Sequence, residues 1–112
     1  AFAPIVAPSR VPWGQKALPR YLGQDPARWR AHDACALIED GARFPGTILV
    51  DQGDADQFLQ TQLQPELLAA ACAAAGQALD LRMQAGYDHS YWFIQSFIED
   101  HLLHHAAALR AC

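Results

Sequence analysis

Two short polar stretches carry the residues best suited to chemistry. Asp51, Asp54 and Asp56 fall in Asp51-Gln52-Gly53-Asp54-Ala55-Asp56-Gln57-Phe58, and His89 falls in Gly86-Tyr87-Asp88-His89-Ser90. A carboxylate bonded to one imidazole nitrogen fixes the tautomer and stabilises the imidazolium, leaving the other nitrogen as a base. His101, His104 and His105 form a second group, at i, i+3 and i+4 with Asp100 adjacent, a spacing that could hold zinc from one helix face. The simpler reading of that group is an amphipathic helix whose histidines bond locally. Cys35, Cys72 and Cys112 are widely spaced, without a C-x-x-C pair or a positioned base. They read as free thiols of a reducing compartment and not as nucleophiles.

An Asp and His89 can meet only if the chain brings their two stretches together. Short apolar runs predict strands at Phe2 to Val6, Thr47 to Val50 and Leu79 to Met83. Pro12-Trp13-Gly14 reads as a turn, followed by a helix over Gln15 to Leu22 that Gly23 stops. Asp25 and Asp33 cap short helices at Pro26 to Ala31 and Ala34 to Asp40; Pro65 opens one running to Ala75. Ser90 caps a long last helix reaching about Leu109. Strands alternating with helices imply a parallel sheet covered on both faces, with functional groups at the carboxyl ends of its strands. Those ends carry Pro8 to Gly14, Asp51 to Asp56 and Gly86 to Ser90. Adjacent strands lie about 5 Å apart, so the last two loops can bring an Asp onto His89. Trp13, after the first strand, and Trp92, one turn beyond His89, would border a pocket there, while Trp29 reads as core.

Composition narrows the function classes. One domain fits in 112 residues, and 52% apolar with 18% charged residues excludes intrinsic disorder. A formal net charge of −4 argues against nucleic acid, and no polybasic patch invites anionic lipid. The apolar runs fall well short of the roughly 20 residues of a membrane span. Ala1-Phe2-Ala3-Pro4-Ile5 lacks the charged start of a signal peptide and reads as a chain cut within an element.

The longer words around the candidate pair are more specific than its spacing. Asp51-Gln52-Gly53-x-x-Asp56-Gln57-Phe58-Leu59, Gly86-Tyr87-Asp88-His89-Ser90-Tyr91 and Asp100-His101-Leu102-x-His104-His105-Ala106 resemble the S-formylglutathione hydrolase (esterase D) family. Phe2-Ala3-Pro4-Ile5, Pro12-Trp13-Gly14-Gln15-Lys16-Ala17 and Tyr21-Leu22-Gly23 do so as well, in the family's order and over essentially the whole chain.

The resemblance implies an α/β-hydrolase fold and a serine triad in the order Ser, Asp, His. By motif position Asp56 matches the triad acid and His89 the base. Asp51 reads as strand-end structure, Asp54 as solvated, and Asp88 as holding its turn. The family's Gly-x-Ser-x-Gly elbow has no counterpart around Ser9, Ser90 or Ser96. Residues 1–112 are therefore expected to be the carboxyl-terminal part of one hydrolase domain: three parallel strands with flanking helices, inactive alone. The implied parent is a cytoplasmic enzyme of formaldehyde detoxification that hydrolyses S-formylglutathione to glutathione and formate. No metal or organic cofactor is implied; the expected partner is a small thioester or ester, without nucleic acid or membrane, in a parent that could pair as a homodimer. A broad carboxylesterase acting on small acyl esters is the alternative, and a non-catalytic interaction fragment is the alternative of another class.

Overall fold

The computed structural model describes residues 1–112. At its centre are two parallel strands, β1 (Ile48–Gly53) and β2 (Leu79–Gln84), paired from Ile48↔Leu79 to Gly53↔Gln84. The helices are α1 (Pro12–Leu22), α2 (Pro26–Arg30), α3 (Ala34–Glu39), α4 (Pro65–Ala75) and α5 (Tyr91–Arg110). No helix is long and apolar enough to cross a membrane.

Alternation along β1 sends successive side chains to opposite faces of the sheet. Val50 joins Val6, Ala7, Cys35, Ile38, Leu68, Ala71 and Cys72 in the larger core, with Ile48 packed against it; this is the face covered by α3 and α4. On the other face Ala3, Leu63 and Phe93 form a smaller cluster, flanked by Phe2, Phe58, Tyr87, Ile94 and Phe97. That cluster and the polar contacts of Asp51 hold α5 against the sheet.

The expected third strand, Phe2 to Val6, does not form. Phe2 makes one parallel bridge to Asp51, through Ala3 N–H to Asp51 O at 2.9 Å and Asp51 N–H to Ala1 O at 3.0 Å. The reason is local. Ala3 sits at φ 42°, which turns the chain away from the ladder, and Pro4 has no N–H with which to continue it. Val6 and Ala7 are still buried, so the apolar signal marked core and not strand.

Two further departures shape the site's surroundings. Pro12-Trp13-Gly14 is not a turn before α1 but its first turn, with Pro12 at the first helical position. Gly14 is required there: a Cβ would lie 1.8 Å from Pro8 O. Between β1 and α4 the chain makes a π-helical turn over Leu59–Leu63, closed by Gln64 N–H to Leu59 O at 2.9 Å. The caps at Asp25 and Asp33 behave as expected, accepting from Ala27 N–H at 3.0 Å and Ala36 N–H at 2.9 Å. Ser90 occupies the N-cap of α5, although its hydroxyl bonds no helix N–H.

Candidate active site

The loops leaving β1 and β2 are laced together. Asp54 N–H donates to Gln84 O at 3.1 Å and Ala55 N–H to Tyr87 O at 3.0 Å, while the Asp54 carboxylate accepts from Gly86 N–H at 2.7 Å. Gly53 permits this approach, since a Cβ at that position would fall 2.1 Å from Tyr87 O. Exposed Asp54, read as solvated, therefore also staples the second loop.

This lacing places Asp56 and His89 side by side, with His89 Nδ1 2.8 Å from Asp56 Oδ2. The Asp56 side chain is fully buried, and that of His89 is 40% exposed. An ionised carboxylate can only accept, so the neutral ring donates from Nδ1 and leaves Nε2 with its lone pair. No other group of the chain hydrogen-bonds the His89 ring. Asp56 is itself held by two neutral donors: Phe58 N–H to Oδ1 at 2.8 Å, an Asx turn that leads into the π-helical segment, and Gln52 Nε2 to Oδ2 at 3.1 Å.

A cleft of ≈ 340 Å³ opens beside the imidazole, lined by Phe2, Ala3, His89, Ser90, Tyr91, Phe93 and Ile94. Five of its seven lining residues are hydrophobic. Neither predicted pocket tryptophan lines it. Trp92 is 66% exposed on the outside of α5. Trp13 packs against Phe58 at 4.6 Å between centroids with the rings tilted by 55°, and Phe58 meets the His89 ring edge-on at 5.5 Å, so Trp13 reaches the imidazole only through Phe58. Trp29 is half-buried, and its indole N–H donates to Gly23 O at 2.8 Å.

A second carboxylate lies five residues earlier. Asp51 is fully buried and accepts from Arg82 Nε at 2.8 Å, Arg82 Nη2 at 2.6 Å and Gln84 Nε2 at 2.8 Å. His101 Nε2 lies 2.6 Å from Asp51 Oδ2, the oxygen that also accepts from Arg82 Nη2, and Arg82 reaches on to Asp100 at 3.0 Å. Burial pushes the Asp51 carboxyl up, but the Arg82, Gln84 and His101 hydrogen bonds outweigh it and hold the group below its ordinary value. Asp51 thus joins β1, β2 and α5 through charge. The candidate zinc group is dispersed by this arrangement: His101 belongs to Asp51, and no cluster of three His, Cys, Asp or Glu side chains is set to hold a metal.

The remaining candidates are placed apart from the cleft chemistry. Burial raises the Cys35 thiol to about 11 and also raises Cys72, which keeps both protonated and inert. Ser9 Oγ donates to Asp33, and Ser96 Oγ to Trp92 O at 2.8 Å. Ser90 lines the cleft without bonding His89. Sequence reasoning gave no role to Gln52 or Arg82. For Gln52 the available signal was its place on the same strand face as Ile48 and Val50, where only a specific partner justifies a polar side chain; Arg82, in a strand that alternates polar and apolar residues, gave none.

The Esterase family model matches residues 1–104. Among solved structures, an S-formylglutathione hydrolase from Agrobacterium tumefaciens superimposes with a TM-score of 0.91 at 55% sequence identity. The match covers 96% of this chain and 38% of that one, so residues 1–112 span less than half the length of the relative. Two parallel strands with helices on both faces are accordingly a part of the α/β-hydrolase fold, and the chain belongs to the Esterase family.

Proposed function

We propose that the chain supplies the acid and base of a serine hydrolase triad, Asp56 and His89, to an enzyme whose nucleophile lies outside these 112 residues. The supporting observation is the 2.8 Å contact from buried Asp56 to His89 Nδ1, beside a cleft. S-formylglutathione is the substrate this reading favours, because a relative of 55% identity bears that activity in its name. Simple acyl esters need the same two residues and form the second reading.

The chemistry follows from the tautomer. His89 Nε2 takes the proton of the serine hydroxyl as its oxygen adds to the formyl carbon, and Asp56 stabilises the imidazolium so formed. The C–S bond then breaks, and Nε2 returns the proton to the departing glutathione thiolate. A water attacks the formyl-serine with Nε2 again as base; the ester C–O bond breaks, Nε2 returns that proton to the serine oxygen, and formate leaves. S-formylglutathione arises when the hemithioacetal of formaldehyde and glutathione is oxidised by two electrons, and the free cysteines of this chain suit a compartment that keeps glutathione reduced. No step calls for a metal or an organic cofactor.

Turnover of S-formylglutathione against a small aryl ester, by the esterase that carries this sequence, tests the reading. A kcat/KM higher for the thioester, abolished in His89→Ala, is expected; a clear preference for the aryl ester would move the assignment to the carboxylesterase.

A further inference from the structure

Gln52 is a fully buried amide at the next-to-last position of β1, on the face where Ile48 and Val50 are apolar. Its Nε2 donates to Asp56 Oδ2 at 3.1 Å and to Gly53 O at 3.1 Å, while its Oε1 is buried with no partner. The orientation of the amide is fixed: turned over, Oε1 would face the Asp56 carboxylate and the Gly53 carbonyl, two acceptors. An orphaned buried acceptor is a standing desolvation cost, which an apolar side chain of the same length would avoid. What Gln52 gives in return is its N–H groups.

Those groups act where the geometry is most exposed to error. Asp56 Oδ2 is the oxygen that receives His89 Nδ1, and Gln52 binds this same oxygen, whereas Phe58 N–H holds Oδ1. Without Gln52 the carboxylate is fixed at one oxygen only and can rotate about that bond. We propose that Gln52 is a positioning residue, which directs Asp56 Oδ2 onto His89 Nδ1 and keeps the imidazole in the tautomer with Nε2 free. This rests on the Asp56–His89 pair of the proposed function, and it predicts that Gln52 trades stability for that alignment.

The test is histidine side-chain ¹H and ¹⁵N NMR on the esterase that carries this sequence, at a pH where the His89 ring is neutral, with a thermal melt of each variant. In the wild type the Nδ1 proton of His89 is expected at low field, and it should disappear in Asp56→Asn. Gln52→Met keeps the length of the side chain without its donors. It should lose the low-field proton and mix the two tautomers, with a melting temperature equal to or above that of the wild type. Gln52→Leu, shorter and likewise without donors, should lose the proton as well, and serves if the methionine variant does not fold. An unchanged His89 proton in either folded variant overturns the proposal, whatever the melting temperature does. If that proton is also unchanged in Asp56→Asn, the pair itself falls and the proposal falls with it; if it depends on Asp56 but not on Gln52, only the role of Gln52 is lost.

Discussion

Asp51 and Asp56 lie five residues apart, both buried, and meet opposite partners. Asp51 faces the two nitrogens of an arginine fork, an amide and the Nε2 of a buried histidine, so its charge is neutralised in place. Asp56 is held by an amide and a backbone N–H, and its one titratable neighbour is half in solvent. A carboxylate already matched by a guanidinium has little left to give to a charge that develops later. One held by neutral donors keeps its full charge available for an imidazolium. The role of a buried acid is therefore legible in the charge of its donors and not in its burial.

Exchanging each acid for its amide separates the two roles. In the esterase that carries this sequence, Asp56→Asn should reduce kcat by about 10⁴-fold, because an amide favours the wrong imidazole tautomer. Its melting curve should stay close to that of the parent, and steady-state kinetics with a thermal melt reads both. Asp51→Asn should do the reverse. Breaking a buried ion pair by removing one charge costs about 3–5 kcal/mol, to be read from denaturant unfolding, while kcat of the folded fraction changes far less.

Gly53 stands between the two carboxylates and tests whether they can be uncoupled. The methyl group of Gly53→Ala must displace Tyr87, whose carbonyl lies 2.1 Å from the new Cβ. About 1–3 kcal/mol of stability is expected to go, together with activity, as the His89 loop is pushed off. A variant with wild-type stability and turnover would show that the two loops are not in contact.

Acid sharpens the comparison further. The folded value of Asp51 is lowered from 3.8, so its contribution to stability is fully present above that value. It is lost as pH falls below about 4 and through the folded value. Unfolding followed from pH 6 to pH 2 should show this loss in the parent, and a shallower one in Asp51→Asn. The smallest effect is expected at Trp92, 66% exposed and outside the cleft. Trp92→Ala should change stability by no more than about 0.5 kcal/mol; a large rise in KM would return it to the pocket.

Much of this was legible in the sequence because its causes are local. Pro65 and Gly76 bound α4 by their own backbone preferences, and Asp25 and Asp33 cap through contacts within three residues. Long motif words singled out Asp56 among three nearby aspartates, where periodicity left all of them open. The extent of the first strand was less legible, since Phe2 to Val6 has the right composition but Ala3 takes a left-handed turn before Pro4. The partners of Asp51 were not legible at all. Arg82, Gln84 and His101 are 31, 33 and 50 residues away, and no spacing rule links them.

The sequence by itself determined where helices begin and end, which strand ends carry polar loops and which family the chain resembles, for these depend on residue type and near neighbours. Only the tertiary structure decided the partners of Asp51 and the 2.8 Å approach of Asp56 to His89. That outcome depends on the register of β1 against β2 and on the close approach at Gly53, which bring Asp56 to His89 and seat Arg82 and His101 on Asp51. Hydrogen bonds act over about 3 Å, and partners more than 30 residues apart in the chain come within that distance only when the sheet and α5 have packed.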